Sequence, residues 1–140
     1  MIRNINKDDT VFLSEIYYQA RLQTFDWIES DQIRIDDFVR DTKEEKIWVA
    51  EVDGCVVGFI SVCEPENFIH HLYVSPDFSG LNIGTQLLRT CLSNIGRPVT
   101  LKCVSANVDA LRFYESRGWR TISVGVGEEG EYHLMQANET

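Results

Sequence analysis

The chain has 140 residues, of which 44% are hydrophobic and 25% are charged, and a formal net charge of −9. This length predicts one domain, residues 1–140, and no apolar run reaches the about 18 residues of a transmembrane helix, so we expect no membrane partner. The negative charge argues against nucleic acid as a partner, because an acidic surface repels a phosphate backbone.

The first half of the sequence predicts a short strand, a long helix, a second short helix and a β-hairpin. The long helix has an apolar stripe that runs from Phe12 to Ala20. The hairpin signal is the dipeptide Asp53-Gly54, which favours the backbone angles of a type I′ turn. The predicted elements are a strand at 2–5, a helix capped at Asp8, Asp9 or Thr10, a helix at 35–41, and strands at 46–51 and 55–62.

The second half of the sequence predicts strands and helices in alternation, followed by two further strands. Pro76 lacks an amide hydrogen, so the apolar strand before it must end there. Ile83, Leu87 and Cys91 then recur at helical spacing. The predicted elements are strands at 68–74, 99–104, 121–124 and 132–136, a long helix starting near residue 83, and a short helix after residue 105.

Small residues connect the strand at 68–74 to the long helix. Ser79, Gly80, Asn82 and Gly84 keep this loop short of side chains, and the free N–H groups at a helix start favour an anion. The loop is not a Walker A motif, because no Gly-Lys-Ser/Thr follows, and it lacks the dinucleotide fingerprint. From this segment alone, phosphate binding and an ordinary strand–loop–helix connection stay equally open.

A second informative segment, SANVDALRFYESRGW, runs from Ser105 to Trp119. Ser105, Asn107 or Asp109 suits the cap of a short helix, and Gly118 suits its end. Together with the loop, this segment resembles the GNAT superfamily of acyl-CoA-dependent N-acyltransferases. The resembling stretches are LYVSPDFSGLNIG, the pattern N-x-x-A-x-x-F-Y-x-x-x-G-W and, more weakly, IWVAEVDGCVVGFISV.

The resemblance implies both a fold and a reaction. The implied fold is α/β with a mixed, mainly antiparallel central sheet, about four flanking helices, and a sheet that splays between its fourth and fifth strands. The implied reaction is transfer of an acetyl group from acetyl-CoA, as co-substrate, to an amine of a small molecule or peptide in a ternary complex. No metal is implied, and a homodimer is compatible with the sequence.

The resemblance also assigns roles to individual residues. Tyr114 corresponds to the tyrosines that protonate the departing thiolate, and Asn107 to a residue that hydrogen-bonds the pantetheine arm. Main-chain groups of the strand before the loop pair with pantetheine amides, and an N–H of Leu72 or Tyr73 would hold the oxyanion. The implied cofactor contacts are Leu72, Tyr73, Val74, Ser79, Gly80, Leu81, Asn82, Ile83, Gly84, Thr85, Asn107 and Tyr114.

The loop departs from the family pattern Gln/Arg-x-x-Gly-x-Gly/Ala at two positions. Ser79 replaces the long side chain, which removes one contact to the pyrophosphate, and Asn82 replaces the first glycine. Asn tolerates left-handed backbone angles, so we expect the turn to be kept. These departures support an alternative function, a non-catalytic GNAT-fold module that binds CoA or another ligand. A third reading, an unrelated α/β nucleotide-binding protein, lacks the expected phosphate lysine.

The general base is not fixed by any motif. His70 and His71 are adjacent in a predicted strand, so regular alternation would send them to opposite faces. Imidazole titrates near neutrality and suits the deprotonation of an ammonium. We select His70, on the face shared with Leu72 and Val74, while Glu64 and Glu66 acting through water stay open.

The acceptor pocket is predicted from aromatic residues near the first helix. An aromatic wall can hold a cation or a flat ring, although Phe25 and Trp27 equally suit a core position. The predicted acceptor contacts are Tyr17, Arg21, Phe25, Trp27 and His71, together with the turn before Tyr132.

The four cysteines predict no metal site and no disulfide. Cys55, Cys63, Cys91 and Cys103 lie in apolar strand or helix patterns, and neither they nor the three histidines have zinc-binding spacing. We expect small buried side chains in a reducing compartment. Because the first ten residues also lack the apolar region of a signal peptide, we expect a cytoplasmic protein.

Overall fold

The computed structural model describes residues 1–24, 33–78 and 80–138. The predictions for Phe25, Trp27 and Ser79 therefore fall outside the described residues. Within them the chain forms strands β1 (Ile2–Asn4), β2 (Lys46–Val52), β3 (Cys55–Cys63), β4 (Phe68–Val74), β5 (Thr100–Val104), β6 (Arg120–Gly127) and β7 (Gly130–Gln136), and helices α1 (Thr10–Thr24), α2 (Asp37–Asp41), α3 (Ile83–Leu92) and α4 (Val108–Glu115). None of these helices combines the length and apolarity that crossing a membrane requires.

The strands form one sheet in the order β1-β2-β3-β4-β5-β7-β6. All neighbours are antiparallel except β4 and β5, which run parallel and pair only at Phe68 with Thr100 and at Ile69 with Leu101. Beyond these two pairs β4 and β5 are no longer joined. The expectation of a mixed, mainly antiparallel sheet that opens between its fourth and fifth strands is confirmed.

Several turn and cap predictions concern single residues. Asp53 and Gly54 have φ values of 51° and 82°, which a type I′ turn requires, and Asn82 has a φ of 61°, so the asparagine keeps the left-handed turn of the loop. The side chain of Asn107 caps α4 by accepting from the amide of Ala110 at 3.2 Å. The cap predicted before α1 is wrong, because Asn6 caps a short 3₁₀ turn that leads into the helix.

Two apolar clusters cover the two faces of the sheet. One contains α3 and α4 side chains such as Leu87 and Tyr114, and Leu72 and Val74 of β4 pack against it. The other contains Tyr17, Phe38 and Phe59, and Tyr73 packs against it. Alternation along β4 therefore sends successive side chains to the α3 face and the α1 face of the sheet.

The cysteine prediction is correct for two residues only. Cys91 and Cys103 are buried, and burial raises their pKa values to about 12 and about 11, so both thiols stay protonated. Cys63 is half-buried and Cys55 is exposed. Cys55 is exposed because it directly follows the hairpin turn, where β3 begins at the edge of the core.

Candidate active site

A bulge in β4 decides where the two adjacent histidines point. His71 pairs with Ser61 and Ile69 pairs with Val62, which leaves His70 as one extra residue in β4. A bulge of this kind places two consecutive side chains on the same side of a strand. The imidazole rings of His70 and His71 stack with centroids 4.1 Å apart and planes 28° apart. The prediction that they point to opposite faces is therefore wrong.

The same bulge corrects the face assigned to His70. Leu72 and Val74 pack on the α3 face, whereas His71 contacts Tyr17 on the α1 face, with ring centroids 5.0 Å apart. Because His70 stacks on His71, its ring lies on the α1 side and not with Leu72 and Val74.

A cavity of about 360 Å³ borders the gap between β4 and β5. It brings together residues of β4, β5, α1, α4 and the β6–β7 turn. Seven predicted site residues line it: Tyr17, His70, His71, Leu72, Tyr73, Asn107 and Tyr114. The segment from Gly80 to Thr85 and the side chain of Arg21 do not line it. The predicted catalytic pair, Tyr114 and His70, therefore lines the same cavity, which we call the cleft.

His71 is held in a chain of hydrogen bonds. Tyr17 donates its hydroxyl hydrogen to Asp41 at 2.7 Å, so its oxygen accepts from His71 Nε2 at 3.2 Å. His71 Nδ1 then accepts from the Ser61 hydroxyl at 2.9 Å. Burial, with His70 nearby, lowers the pKa of His71 to about 3. His71 is thus neutral with both ring nitrogens occupied, so it is poorly suited to accept a substrate proton.

His70 has a different partner and a different charge. Its Nδ1 lies 2.6 Å from Oε2 of Glu45, and its side chain is 45% exposed. The hydrogen bond to the Glu45 carboxylate raises the pKa of His70, with smaller contributions from Asp41 and Glu129. His70 therefore carries a positive charge over a wider pH range than an ordinary histidine does.

Sequence reasoning missed Glu45. The residue precedes β2, and its signal lies in the register of three strands: Lys46 pairs with Val62, and Val62 pairs with Ile69. This register brings the start of β2 across β3 to the bulge in β4. The contact follows only once the strand order and register are known.

Tyr114 projects from α4 into the cleft. The residue is 9% exposed, and its ring packs edge-on against Phe113 and Trp119 at centroid distances of 5.2 and 5.6 Å. Burial raises the pKa of Tyr114, so the phenol keeps its proton at neutral pH. No described residue accepts a hydrogen bond from this hydroxyl, so its proton is free to be donated to a ligand in the cleft.

The backbone of β4 presents donors to the same gap. The amide of Ser75 donates to the carbonyl of Val57 at 2.7 Å. In an antiparallel pair, every second residue of a strand turns its N–H group to the partner strand. The N–H groups of Tyr73 and Ser75 therefore point to β3. Leu72 and Val74 therefore direct their N–H groups away from β3, toward the opening. Of the two predicted oxyanion donors, Leu72 is therefore the one whose N–H group points toward the opening.

The loop before α3 keeps the form of an anion site. Asn82, with its left-handed backbone, leads directly into Ile83, the first residue of α3. Gly84 lies under the ring of Phe113, and a Cβ atom added at residue 84 would be 3.3 Å from that ring. Arg117 stacks on the same ring at 3.8 Å and donates from Nε to the Thr85 hydroxyl at 2.9 Å. A guanidinium thus lies at the first turn of α3, a feature that sequence reasoning also missed.

Arg21 serves a structural contact that the sequence did not predict. Its guanidinium forms a buried ion pair with Asp37 at 2.9 Å and lies over the Tyr17 ring at 4.9 Å. Nη2 is 3.9 Å from Glu129. Among the described residues, Tyr17 and Glu129 are the ones that connect Arg21 to the cleft.

Comparison with known proteins identifies the family. Residues 8–119 match the model of the Acetyltransferase (GNAT) family. The chain belongs to the GNAT family. Two archaeal relatives are described as uncharacterised N-acetyltransferases. The one from Archaeoglobus fulgidus is 28% identical over 89% of this chain and 95% of its own length. The one from Methanocaldococcus jannaschii is 30% identical over 90% of this chain, which spans 63% of that relative.

Solved structures share this GNAT fold. The solution structure of apo YjaB from Escherichia coli superposes with a TM-score of 0.82 at 21% identity, covering 100% of this chain and 98% of that one. The structure of yncA from Salmonella typhimurium with its cofactor acetyl-CoA gives a TM-score of 0.69 at 22% identity, covering 100% and 94% of the two chains. At these identities the likeness shows the fold.

Proposed function

We propose that this GNAT protein transfers an acetyl group from acetyl-CoA to an amine of a small molecule or peptide, directly and in a ternary complex. The observation that carries the proposal is the position of the Tyr114 hydroxyl, which has no hydrogen-bond partner among the described residues, in the same cleft as Leu72. Beside it, antiparallel alternation turns the N–H groups of Leu72 and Val74 toward the open side of β4. These groups would protonate the thiolate and bind the thioester oxygen and the pantetheine amides.

Acetyl-CoA would lie along the loop, the gap and the cleft in that order. Backbone amides from Gly80 to Gly84 at the start of α3 would hold the pyrophosphate, and Arg117 adds positive charge there. The pantetheine arm would pair with the open edge of β4 as an added strand does. The side-chain oxygen of Asn107 caps α4, so its amide nitrogen stays available for a pantetheine carbonyl.

The reaction then follows from the groups around the thioester. The neutral amine attacks the carbonyl carbon, and the resulting oxyanion accepts a hydrogen bond from the N–H group of Leu72. His70 takes the proton that the amine loses. As the carbon–sulfur bond breaks, Tyr114 gives its proton to the thiolate, whose ordinary pKa of about 8.5 lies below that of a phenol. This last transfer is uphill, and collapse of the tetrahedral intermediate drives it.

The alternative, a module that binds CoA without turnover, rests on the Ser79 and Asn82 departures. The left-handed φ of Asn82 weakens half of this argument, because the turn keeps its form without glycine. The Tyr114 hydroxyl weakens it further, since binding alone does not require a free proton donor beside the open edge of β4.

Acetyl-CoA is expected to stabilise the protein. At about 100 times its dissociation constant a ligand that binds only the folded state adds about 2.7 kcal/mol to the free energy of unfolding. Thermal unfolding with acetyl-CoA, CoA and ATP measures this effect. We expect the first two to raise Tm and ATP to raise it less. An unchanged Tm with millimolar acetyl-CoA would refute the cofactor assignment.

Gly84→Val is expected to weaken acetyl-CoA binding by about tenfold or more, a loss of at least about 1.4 kcal/mol. A β-branched side chain here would crowd the Phe113 ring and the amides that face the phosphates. Isothermal titration measures the change. Arg89→Val places the same side chain at an exposed position of α3 and should bind normally. Normal binding by Gly84→Val would show that the loop is not the phosphate site.

His70→Ala is expected to lower the rate and to remove one limb of the pH–rate profile. Because the hydrogen bond to Glu45 raises the pKa of His70, the neutral base becomes populated at higher pH than in an ordinary histidine, and the rate should rise with pH through that limb. Affinity for acetyl-CoA should change little. His71→Ala should preserve the limb, although it disrupts the bonds to Ser61 and Tyr17. If His71→Ala removed the limb and His70→Ala preserved it, the role of base would pass to His71.

A further inference from the structure

We infer that Glu45 is a positioning residue of this acetyltransferase, which fixes the His70 imidazole so that Nε2 faces the cleft as the proton acceptor. The inference rests on the proposed function and names a residue that the reaction has not so far required. It is carried by the geometry of one hydrogen bond, by the burial of the carboxylate and by the stacked pair of rings.

The hydrogen bond between Glu45 and His70 fixes the tautomer. An ionised carboxylate can only accept, so the His70 Nδ1 that lies 2.6 Å from Glu45 Oε2 must carry a hydrogen. In the neutral ring the lone pair is then on Nε2. No described residue hydrogen-bonds this nitrogen, and the half-exposed ring lines the cleft. The free lone pair is therefore available to an amine bound there.

Glu45 is placed to act through His70 and not on the substrate. Its side chain is 9% exposed and does not line the cleft. Its Oε1 is buried with no hydrogen-bond donor among the described residues and lies 3.8 Å from Nδ1 of His71. A carboxylate oxygen that is buried without a donor among the described residues reduces what Glu45 contributes to stability, which favours a role other than folding. Orientation of His70 supplies one.

His71 fixes the ring from the other side. Its bonds to Ser61 and Tyr17 determine the plane on which His70 stacks, and its neutrality avoids a second positive charge 4.1 Å away. Glu45 thus holds the edge of the His70 ring, and His71 supports its face. The bulge in β4 is what allows both contacts.

The charges around His70 set the expected pH dependence. Glu45 just before β2, Asp41 of α2 and Glu129 of the β6–β7 turn all raise its pKa, while burial lowers it. Arg21 of α1 lies beyond Tyr17, and His71 is neutral. Removing the Glu45 charge should therefore lower the pKa of His70. The pH limb should move to lower pH, and the limiting rate should fall because the base is weaker and less well oriented.

The first test needs no acceptor. The imidazole Cε1–H resonance of His70 is followed against pH by NMR in the full chain, which has only three histidines. We expect Glu45→Gln to lower the pKa of His70 and Glu45→Asp to retain part of the elevation. Glu44→Gln, which removes the exposed neighbouring carboxylate, should leave it unchanged. An unchanged His70 titration in Glu45→Gln would overturn the inference.

The second test is kinetic. In Glu45→Gln we expect the limiting kcat to fall about tenfold, a fraction of the 10²–10⁴ that a general base contributes, with the limb shifted to lower pH and acetyl-CoA affinity unchanged. If the pH limb of Glu45→Gln does not move while the variant still binds acetyl-CoA normally, the positioning role of Glu45 is rejected and the proposed function is not affected. Absent acetyl-CoA binding in the wild type would instead reject the proposed function.

A metal ion is the competing explanation of this cluster. One ring nitrogen each of His70 and His71 and a carboxylate oxygen of Glu45 lie within 4.8 Å of one another, close enough for a metal ion to bridge them. Activity that a chelator abolishes and Zn²⁺ restores would show that these atoms bind a metal, and it would overturn the positioning role. Activity unaffected by a chelator supports it.

Discussion

Tyr114→Phe is expected to lower kcat by about 10²–10⁴-fold, the usual contribution of a positioned acid. Phenylalanine keeps the ring and its edge-on packing against Phe113 and Trp119, so the core should be preserved. Only the hydroxyl is lost, and in the proposed reaction its proton is needed as the thioester breaks. The Michaelis constant for acetyl-CoA should therefore change little.

Steady-state kinetics with any acceptor that supports turnover, read by thiol release, measures this effect. Tyr18→Phe provides the matched control, because it removes the same hydroxyl from α1 outside the cleft and should leave kcat unchanged. Thermal unfolding of both variants separates a chemical loss from a loss of fold. Full activity in a folded Tyr114→Phe variant would reject the general-acid role and favour the non-catalytic module.

Asp37→Ala is expected to reduce the free energy of unfolding by about 3–5 kcal/mol. The Asp37 side chain is 2% exposed and pairs with Arg21, which is 10% exposed, so the substitution leaves a buried guanidinium without its main partner. The same carboxylate accepts from the amide of Arg34 at 2.9 Å and pairs with Arg40 at 3.2 Å. These contacts connect α1 to α2.

Urea unfolding measures the loss, and Asp36→Ala is its control. Asp36 is the neighbouring residue, but its side chain is 75% exposed and its pair with Arg34 is 3.7 Å long, so we expect a change within about 1 kcal/mol. Similar losses in both variants would show that the buried pair contributes no more than an exposed one.

Much of the fold could be predicted because its signals are local. The Asp53-Gly54 turn and the α3 stripe depend on a few neighbouring residues, and both are found where the sequence predicts them. The splay of the sheet came from family resemblance, since no short stretch of sequence specifies how far two parallel strands stay paired. The predicted cap of α1 is wrong because Asn6, Asp8 and Asp9 all have side chains that cap helices well. The sequence alone does not tell which of them begins the helical segment.

The candidate site was predictable at its motifs and not at its contacts. Tyr114 and Asn107 belong to one short helix with a recognisable pattern, and both reach the cleft. Glu45 and Arg117 are ordinary charged residues whose partners are 25 and 32 positions away. Their roles depend on strand register and helix packing, which no local pattern encodes. The face of His70 was wrong for the same reason, because nothing around it signals a bulge.

The stacking of His70 on His71 depends on the one extra residue that forms the bulge in β4. Along a regular strand, side chains on one face recur about 6.6 Å apart. The rings of His71 and Tyr73 accordingly lie 6.2 Å apart, whereas the bulge brings those of His70 and His71 to 4.1 Å. Deleting residue 70 would restore regular alternation, leaving Ile69 and His71 on the faces they already occupy. A one-residue deletion would thus remove a single functional group and spare its neighbours. A change in the length of β4, as well as a substitution, can therefore remove the imidazole of residue 70 from the cleft.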